Sequence, residues 1–203
     1  MMAGLDYTRL SLDEIGTALE DVTRQAHATF GGFDTQQLNW RPDLTQWSVG
    51  QCVQHLLTAN VQIRRAAEGA LDPTHVHTIW ERLPILPRVA GRLLIRSQAP
   101  ESPRKFTAPP AAQPASDVPA DIVQRFGEHH RQDVVWVRAL NDRDAARTIM
   151  TSPFVKFATY SLLDGLRLMV AHDHRHLEQA RRVTQVTGFP GRRAGDRLSR
   201  GQT

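Results

Sequence analysis

Apolar residues recur every three or four positions in four separate stretches of the chain, and this spacing predicts four amphipathic helices. Ser11 and Glu14 form a capping-box pair at the start of the first stretch, and Ser48 is a suitable N-cap for the second. No segment alternates apolar and polar residues convincingly enough to predict a strand. The four predicted helices run over about 12 to 29, 48 to 69, 121 to 140 and 161 to 187.

A long proline-rich stretch separates the second predicted helix from the third. Between roughly 70 and 118 the chain carries eight prolines, with one short helix predicted around 88 to 96. We interpret this stretch as a crossover connection that adds nothing to the core. The pattern therefore predicts an all-α fold, a four-helix bundle in which one long Pro-rich crossover between helices 2 and 3 changes the simple up-down order.

The bulk composition is that of an ordinary globular protein. With 203 residues and 40% hydrophobic content, the chain predicts a single domain over 1–190, followed by a flexible basic C-terminal tail over 191–203. Cys52 is the only cysteine, so no intramolecular disulfide forms. No apolar run long enough for a membrane span and no secretory leader is present, and we expect a cytoplasmic protein that has no membrane partner. The tail lacks interleaved aromatic residues, which makes nucleic acid an unlikely partner.

Three histidines are arranged as a metal site would require. His172 and His176 are four residues apart in the fourth helix, where side chains differ by only about 40° around the axis. His55 lies beside the apolar stripe of the second helix and can reach inward. His174 faces away from both neighbours and is excluded as a ligand. Histidine pairs at this spacing also occur on solvated helix faces, so the spacing alone leaves both interpretations open.

Other polar residues near these positions have two interpretations each. Cys52 is either a fourth ligand or reactive thiol facing the same cavity or, more simply, a small core residue. Asp173 either orients a ligand histidine through its ring N–H or is a buried carboxylate satisfied by an arginine or the backbone. His129 or His130 either turns inward to the metal or is an ordinary interior or surface histidine. The remaining histidines are expected on the surface: His27, His75 and His77.

Two segments, 38–56 and 172–179, together resemble the DinB superfamily of DinB/YfiT-like metalloenzymes. Similar proteins have a Trp-Ser pair opening the second helix, a histidine seven residues after the serine, and a His-x-x-x-His-x-x-Gln pattern on the last helix. The corresponding residues here are Trp47, Ser48, His55, His172, His176 and Gln179. The resemblance implies a bundle in up-down-down-up order, a divalent metal ion, most simply zinc or nickel, and frequently a homodimer. Its implied metal ligands are His55, His172 and His176.

The resemblance also suggests a chemistry. Several similar proteins are S-transferases or isomerases that use a low-molecular-weight thiol, and many are described only as metal-dependent hydrolases. We therefore expect a metal-dependent enzyme that activates a thiol or water toward a small-molecule substrate, without identified catalytic side chains. The alternatives are a non-catalytic bundle stabilised by the metal and a stress-linked nucleic-acid-binding protein.

The chain departs from its apparent relatives at two positions. Residues 152–154 read Ser-Pro-Phe where many relatives have a His-Pro or similar pair. Gln51 stands where a glutamate is common, and an amide cannot take up a proton. Trp40 and Trp47 are expected to pack at the helix entry, and Gln179 to pack or hydrogen-bond between helices, with a role in ordering the site as the second option.

Overall fold

A computed structural model of the chain describes residues 5–82, 86–102, 108–155 and 157–191. Within these ranges the chain is predominantly helical, with seven α-helices and two short strands. The helices are α1 (Leu12–Phe30), α2 (Thr35–Asn39), α3 (Val49–Leu71), α4 (Leu86–Gln98), α5 (Ile122–Ala139), α6 (Asp142–Arg147) and α7 (Leu162–Thr184). The strands are β1 (Ile149–Thr151) and β2 (Thr159–Ser161).

The four long helices predicted from the apolar spacing are present as α1, α3, α5 and α7. Ser11 and Glu14 form the predicted capping box, in which each side chain binds the backbone N–H of the other residue. Ser48 and Gln51 form another capping box at the start of α3. The last helix ends at Thr184, three residues before the predicted end, and Gly188 follows with a φ of +94° that favours glycine.

The long helices pack against one another through their apolar faces. Helix α1 contacts α5 and α7, and α3 contacts the same two helices. One part of the core is centred on fully buried residues such as Ile15 and Met169, and the other on residues such as Leu56 and Phe126. Burial of these faces is the main favourable term that holds the helices together.

The expectation that the chain contains no strand was wrong. Strands β1 and β2 pair antiparallel, with Met150 opposite Tyr160, and residues 152–154 lie in the loop that joins them. Both residues of the pair are buried, and Gly165 on α7 allows close approach because a Cβ there would lie 3.0 Å from each. Strands of three residues are too short to show a period of two in the sequence.

The proline-rich connection also differs from the prediction, because parts of it enter the core. Helix α4 matches the short helix expected there, but its residue Ile95 is only 1% exposed. Further along, Val118 packs so closely on α3 that a Cβ at Gly50 would lie 2.1 Å from it. Glycine at position 50 is therefore required for this approach.

Amide side chains of α3 hold the end of the connection against the helix. The Nε2 atom of Gln62 donates to the oxygen of Ala111 at 2.8 Å, and that of Gln51 donates to the oxygen of Ala115 at 2.8 Å. The backbone N–H of Ala115 donates to Gln54 at 2.7 Å. These bonds fix a short 3-10 turn, Pro110–Ala112, beside the middle of α3.

The predicted basic tail lies, beyond Gly191, outside the described residues. Among the helices of the described ranges, none is both long and apolar enough to cross a membrane.

Candidate metal site

The structure brings together the three histidines that the sequence singled out. Helix α3 contributes His55, and one face of α7 contributes His172 and His176. The Nε2 atoms of His55 and His172 are 3.2 Å apart, and the ring centroid of His176 lies 4.6 Å from that of His55. Each ring offers one nitrogen, and these three nitrogens all lie within 4.8 Å of one another.

This spacing suits a divalent ion. With zinc–nitrogen bonds of about 2.0–2.1 Å, two imidazole ligands of a tetrahedral ion have nitrogens roughly 3.3 Å apart. The 3.2 Å between His55 and His172 is close to that value. His55 is buried and His172 is partly exposed. The residues present therefore fit a bound metal ion.

A backbone carbonyl orients His55. The Nδ1 atom of His55 lies 2.6 Å from the oxygen of Ala112, in the 3-10 turn that the α3 amides hold in place. A carbonyl oxygen can only accept a hydrogen bond, so Nδ1 carries the proton and the Nε2 lone pair faces His172. This is the arrangement typical of a metal-binding histidine, whose other nitrogen donates to a carbonyl or carboxylate.

The surroundings keep the three rings neutral. Burial disfavours the cation and lowers the pKa of His172 well below its usual range, and the neighbouring rings of His176 and His55 act in the same direction. Burial likewise lowers the pKa of His55, and it lowers that of His176 to about 3 although a hydrogen bond with Gln179 opposes the change. Neutral imidazoles are the form that binds metal.

Trp47 forms one wall of the histidine group. Its ring centroid lies 4.8 Å from that of His55 and 5.7 Å from that of His176, to which it is stacked at an interplanar angle of 26°. The sequence predicted a packing role at a helix entry for Trp47, which also belongs to the Trp-Ser pair of the family motif. Its contact with two of the three histidines depends on how α3 and α7 pack. In the sequence, the one indication that Trp47 lies near the site was its position directly before the Ser48 cap.

His174 lies away from the group, as its position on the helix predicted. Its ring packs against Tyr7, with centroids 5.6 Å apart, and it is not part of the three-histidine cluster. The two faces of α7 therefore have different roles, since one carries the histidine group and the other packs on the segment before α1.

Asp173 does not orient a ligand histidine, contrary to one of the two interpretations. The carboxylate is fully buried and lies 3.0 Å from the Nδ2 of Asn60 and 3.3 Å from the Nε2 of His130. The alternative of a satisfied buried carboxylate is correct, but its partners are an amide and a histidine. His130 is held in turn by Thr23, whose hydroxyl lies 3.2 Å from Nδ1.

Four further polar residues considered from the sequence lie outside the histidine group. His130 belongs to the Asp173 pair, and the Nε2 of His129 lies 3.2 Å from Asp133. Cys52 is fully buried, and burial raises the pKa of its thiol to about 12, in agreement with the interpretation as a core residue. Gln51 uses both ends of its amide, accepting from the N–H of Ser48 and donating to Ala115.

Comparison with known proteins gives the same assignment as the sequence motifs. Residues 18–180 match the DinB superfamily, which covers most of the chain and includes all three histidines. No curated protein and no solved structure matches the chain. The family match and the mainly helical fold agree, and the chain belongs to the DinB superfamily.

Proposed function

We propose that His55, His172 and His176 bind a divalent metal ion, zinc or nickel, and that the protein is a metal-dependent enzyme acting on a small molecule. The observation that carries the proposal is the convergence of three neutral imidazoles, one of them oriented by the carbonyl of Ala112. A structural zinc site has four protein ligands, whereas three leave a position for substrate.

A divalent ion held by three neutral ligands keeps its double charge and lowers the pKa of a water molecule or thiol bound to it. Two residues of the chain orient and shield the site where this ion would bind. Ala112 keeps the lone pair of His55 directed at the group, and Trp47 shields one side of His55 and His176. The amide of Gln51 cannot act as a base, and both of its ends are already hydrogen-bonded to backbone groups.

Of the two reactions that the family resemblance suggests, thiol S-transfer is the better supported. Asp173 faces His130 and Asn60, and no carboxylate joins the three histidines among the described residues. A free thiol has a pKa of about 8.5, against 15.7 for water, so it needs much less assistance to ionise. A low-molecular-weight thiol is therefore the cosubstrate that suits a group lacking its own base.

A thiol panel tests the proposal. Protein loaded with zinc or nickel is incubated with bacillithiol, mycothiol, glutathione or coenzyme A and an electrophilic acceptor, and loss of the acceptor is followed. We expect turnover with one thiol in the wild type and in His174→Ala, and none in His172→Ala. Turnover that is unchanged in folded His172→Ala would contradict the proposal, and turnover without any thiol would favour hydrolysis.

A non-catalytic role is the second candidate, because the three ligands come from α3 and α7 and a bound ion would join the two helices. In that case, removing the metal with a chelator lowers the free energy of unfolding while no thiol supports turnover of any acceptor in the panel.

We further propose that the four long helices form a bundle in up-down-down-up order within a single cytoplasmic domain over 1–190, and that the chain is a homodimer. The homodimer rests on the family resemblance, and Val135, which is 71% exposed beside a surface groove between α1 and α5, is a residue at which it can be tested. Light scattering should give twice the mass of the chain for the wild type and the mass of one chain for Val135→Glu. A single-chain mass for the wild type would contradict the homodimer.

A further inference from the structure

A second group of metal-binding side chains lies in the segment that follows α3. His75 and His77, which the sequence placed on the surface, lie beside Glu81. The Nε2 of His75 is 3.0 Å from Oε2 of Glu81, and the Nδ1 of His77 is 3.5 Å from the same oxygen. The group shares no residue with the three-histidine cluster, and its three ligand atoms lie within 4.8 Å of one another.

The carboxylate of Glu81 is also held by two hydrogen bonds from residues outside the histidine pair. Its Oε1 accepts a hydrogen bond from the hydroxyl of Thr151 on β1 at 2.6 Å, and its Oε2 accepts one from the backbone N–H of Thr78 at 2.9 Å. Burial of Glu81 acts to raise its pKa, but these bonds and the adjacent His75 outweigh burial and lower the pKa to about 2. The carboxylate is thus an anion at neutral pH.

The group is exposed to solvent on the side of the two histidines. The side chain of Glu81 is only 2% exposed, whereas those of His75 and His77 are 25% and 54% exposed. The rings of His75 and His77 are 5.0 Å apart and nearly perpendicular. An ion entering from solvent on the His77 side meets two imidazole nitrogens and a carboxylate oxygen that is already desolvated and fixed.

We propose that His75, His77 and Glu81 form a second divalent-metal site, with zinc as the ion that suits the ligand set. Two histidines and one glutamate bind zinc in sites that leave a fourth position to water or substrate. On binding, the imidazole proton that faces Glu81 in the metal-free protein moves through solvent to the other nitrogen of the same ring, and the freed lone pair binds the ion. The hydrogen bonds from Thr78 and Thr151 are retained. The site stands independently of the proposed function.

Zinc stoichiometry tests the second site on the full chain. Metal-free protein is equilibrated with excess Zn²⁺, dialysed against metal-free buffer, and analysed for zinc per chain, and affinities are measured by calorimetric titration. His77→Ala is the main variant, because a half-exposed side chain can be removed without loss of folding, which circular dichroism checks. Glu81→Gln is a second variant of nearly the same shape. His27→Ala, which removes an exposed histidine on α1, is the matched control.

We expect two zinc ions per chain for the wild type and His27→Ala, and one for His77→Ala and Glu81→Gln. Affinity at the second site should fall by more than the roughly 10–100-fold that loss of an outer-shell partner costs. Equal stoichiometry and affinity in the wild type and folded His77→Ala would overturn the second site. If His172→Ala keeps both ions while His77→Ala loses one, the second site stands and the three-histidine site fails.

Discussion

The Nδ1 atom of His55 lies 2.6 Å from the backbone oxygen of Ala112, a residue 57 positions later in the chain. This hydrogen bond determines which nitrogen of His55 is free for a metal ion. It also couples the orientation of a side chain in the middle of α3 to the proline-rich connection, because Gln62, Gln54 and Gln51 hold that segment in place. The connection therefore contributes to the candidate metal site as well as joining two helices.

The three histidines should differ sharply from His174 in metal binding. We expect His172→Ala and His176→Ala to lose one divalent ion per chain, because two imidazoles cannot hold the ion against dialysis. His174→Ala should retain it, since His174 packs on Tyr7 on another face of the same helix. Elemental analysis of dialysed protein measures the difference. Full metal content in both His172→Ala and His176→Ala would contradict the assignment.

The fluorescence of Trp47 should report whether a metal ion is bound to the three histidines. Nickel quenches indole emission at short range, and the ring of Trp47 contacts those of His55 and His176. In a His77→Ala background, which removes the second site, one equivalent of Ni²⁺ should lower the tryptophan emission. The decrease should disappear in Trp47→Phe.

Trp136→Phe is the control for Trp47, because Trp136 packs on Arg64, with the guanidinium carbon 4.3 Å from the ring centroid. If Trp136→Phe abolishes the decrease and Trp47→Phe leaves it, Trp47 does not lie beside the ion.

The buried pair of His130 and Asp173 should stabilise the fold without contributing to metal binding. Both side chains are fully buried, and removing one partner leaves the other uncompensated. We therefore expect His130→Ala to lower the free energy of unfolding by about 3–5 kcal/mol. Metal content per folded chain should stay unchanged. A loss below about 1 kcal/mol in urea unfolding would contradict this role.

The pair of His130 and Asp173 should make the free energy of unfolding depend on pH. Burial disfavours the His130 cation, but the Asp173 carboxylate outweighs burial and raises the pKa of His130 above its usual 6.5. A pKa raised by folding adds stability that is complete below the unfolded value and is lost as pH rises through the folded value. The difference in unfolding free energy between the wild type and His130→Gln should therefore shrink as the pH rises above about 6.5. A difference that grows over this range would contradict the pairing.

Cys52 should be unreactive in the folded protein. Its side chain is fully buried, and burial raises the pKa of the thiol to about 12, so almost no thiolate forms at pH 8. Mass spectrometry should find no modification by iodoacetamide under native conditions and complete modification in denaturant. Rapid alkylation of the native protein would show that Cys52 faces a cleft and would reopen its assignment as a ligand.

The sequence by itself determined the features that depend on near neighbours in the chain. The four long helices follow from apolar spacing, and their starts follow from Ser11 with Glu14 and from Ser48, because a cap acts within one turn. The pairing of His172 with His176, and the exclusion of His174 between them, follow from the angle per residue of an α-helix. These relations need no knowledge of how the helices pack.

Only the tertiary structure decided the contacts between residues far apart in the sequence. No local pattern could have paired His55 with Ala112, stacked Trp47 on His176 or joined Asp173 to His130, because each contact crosses from one element to another. Strands β1 and β2 are too short to leave a period, and Glu81 meets Thr151 only because the connection folds onto β1. The candidate metal-binding histidines could be identified from local helix patterns in the sequence. The groups that orient and surround them are set by how the helices and the connection pack.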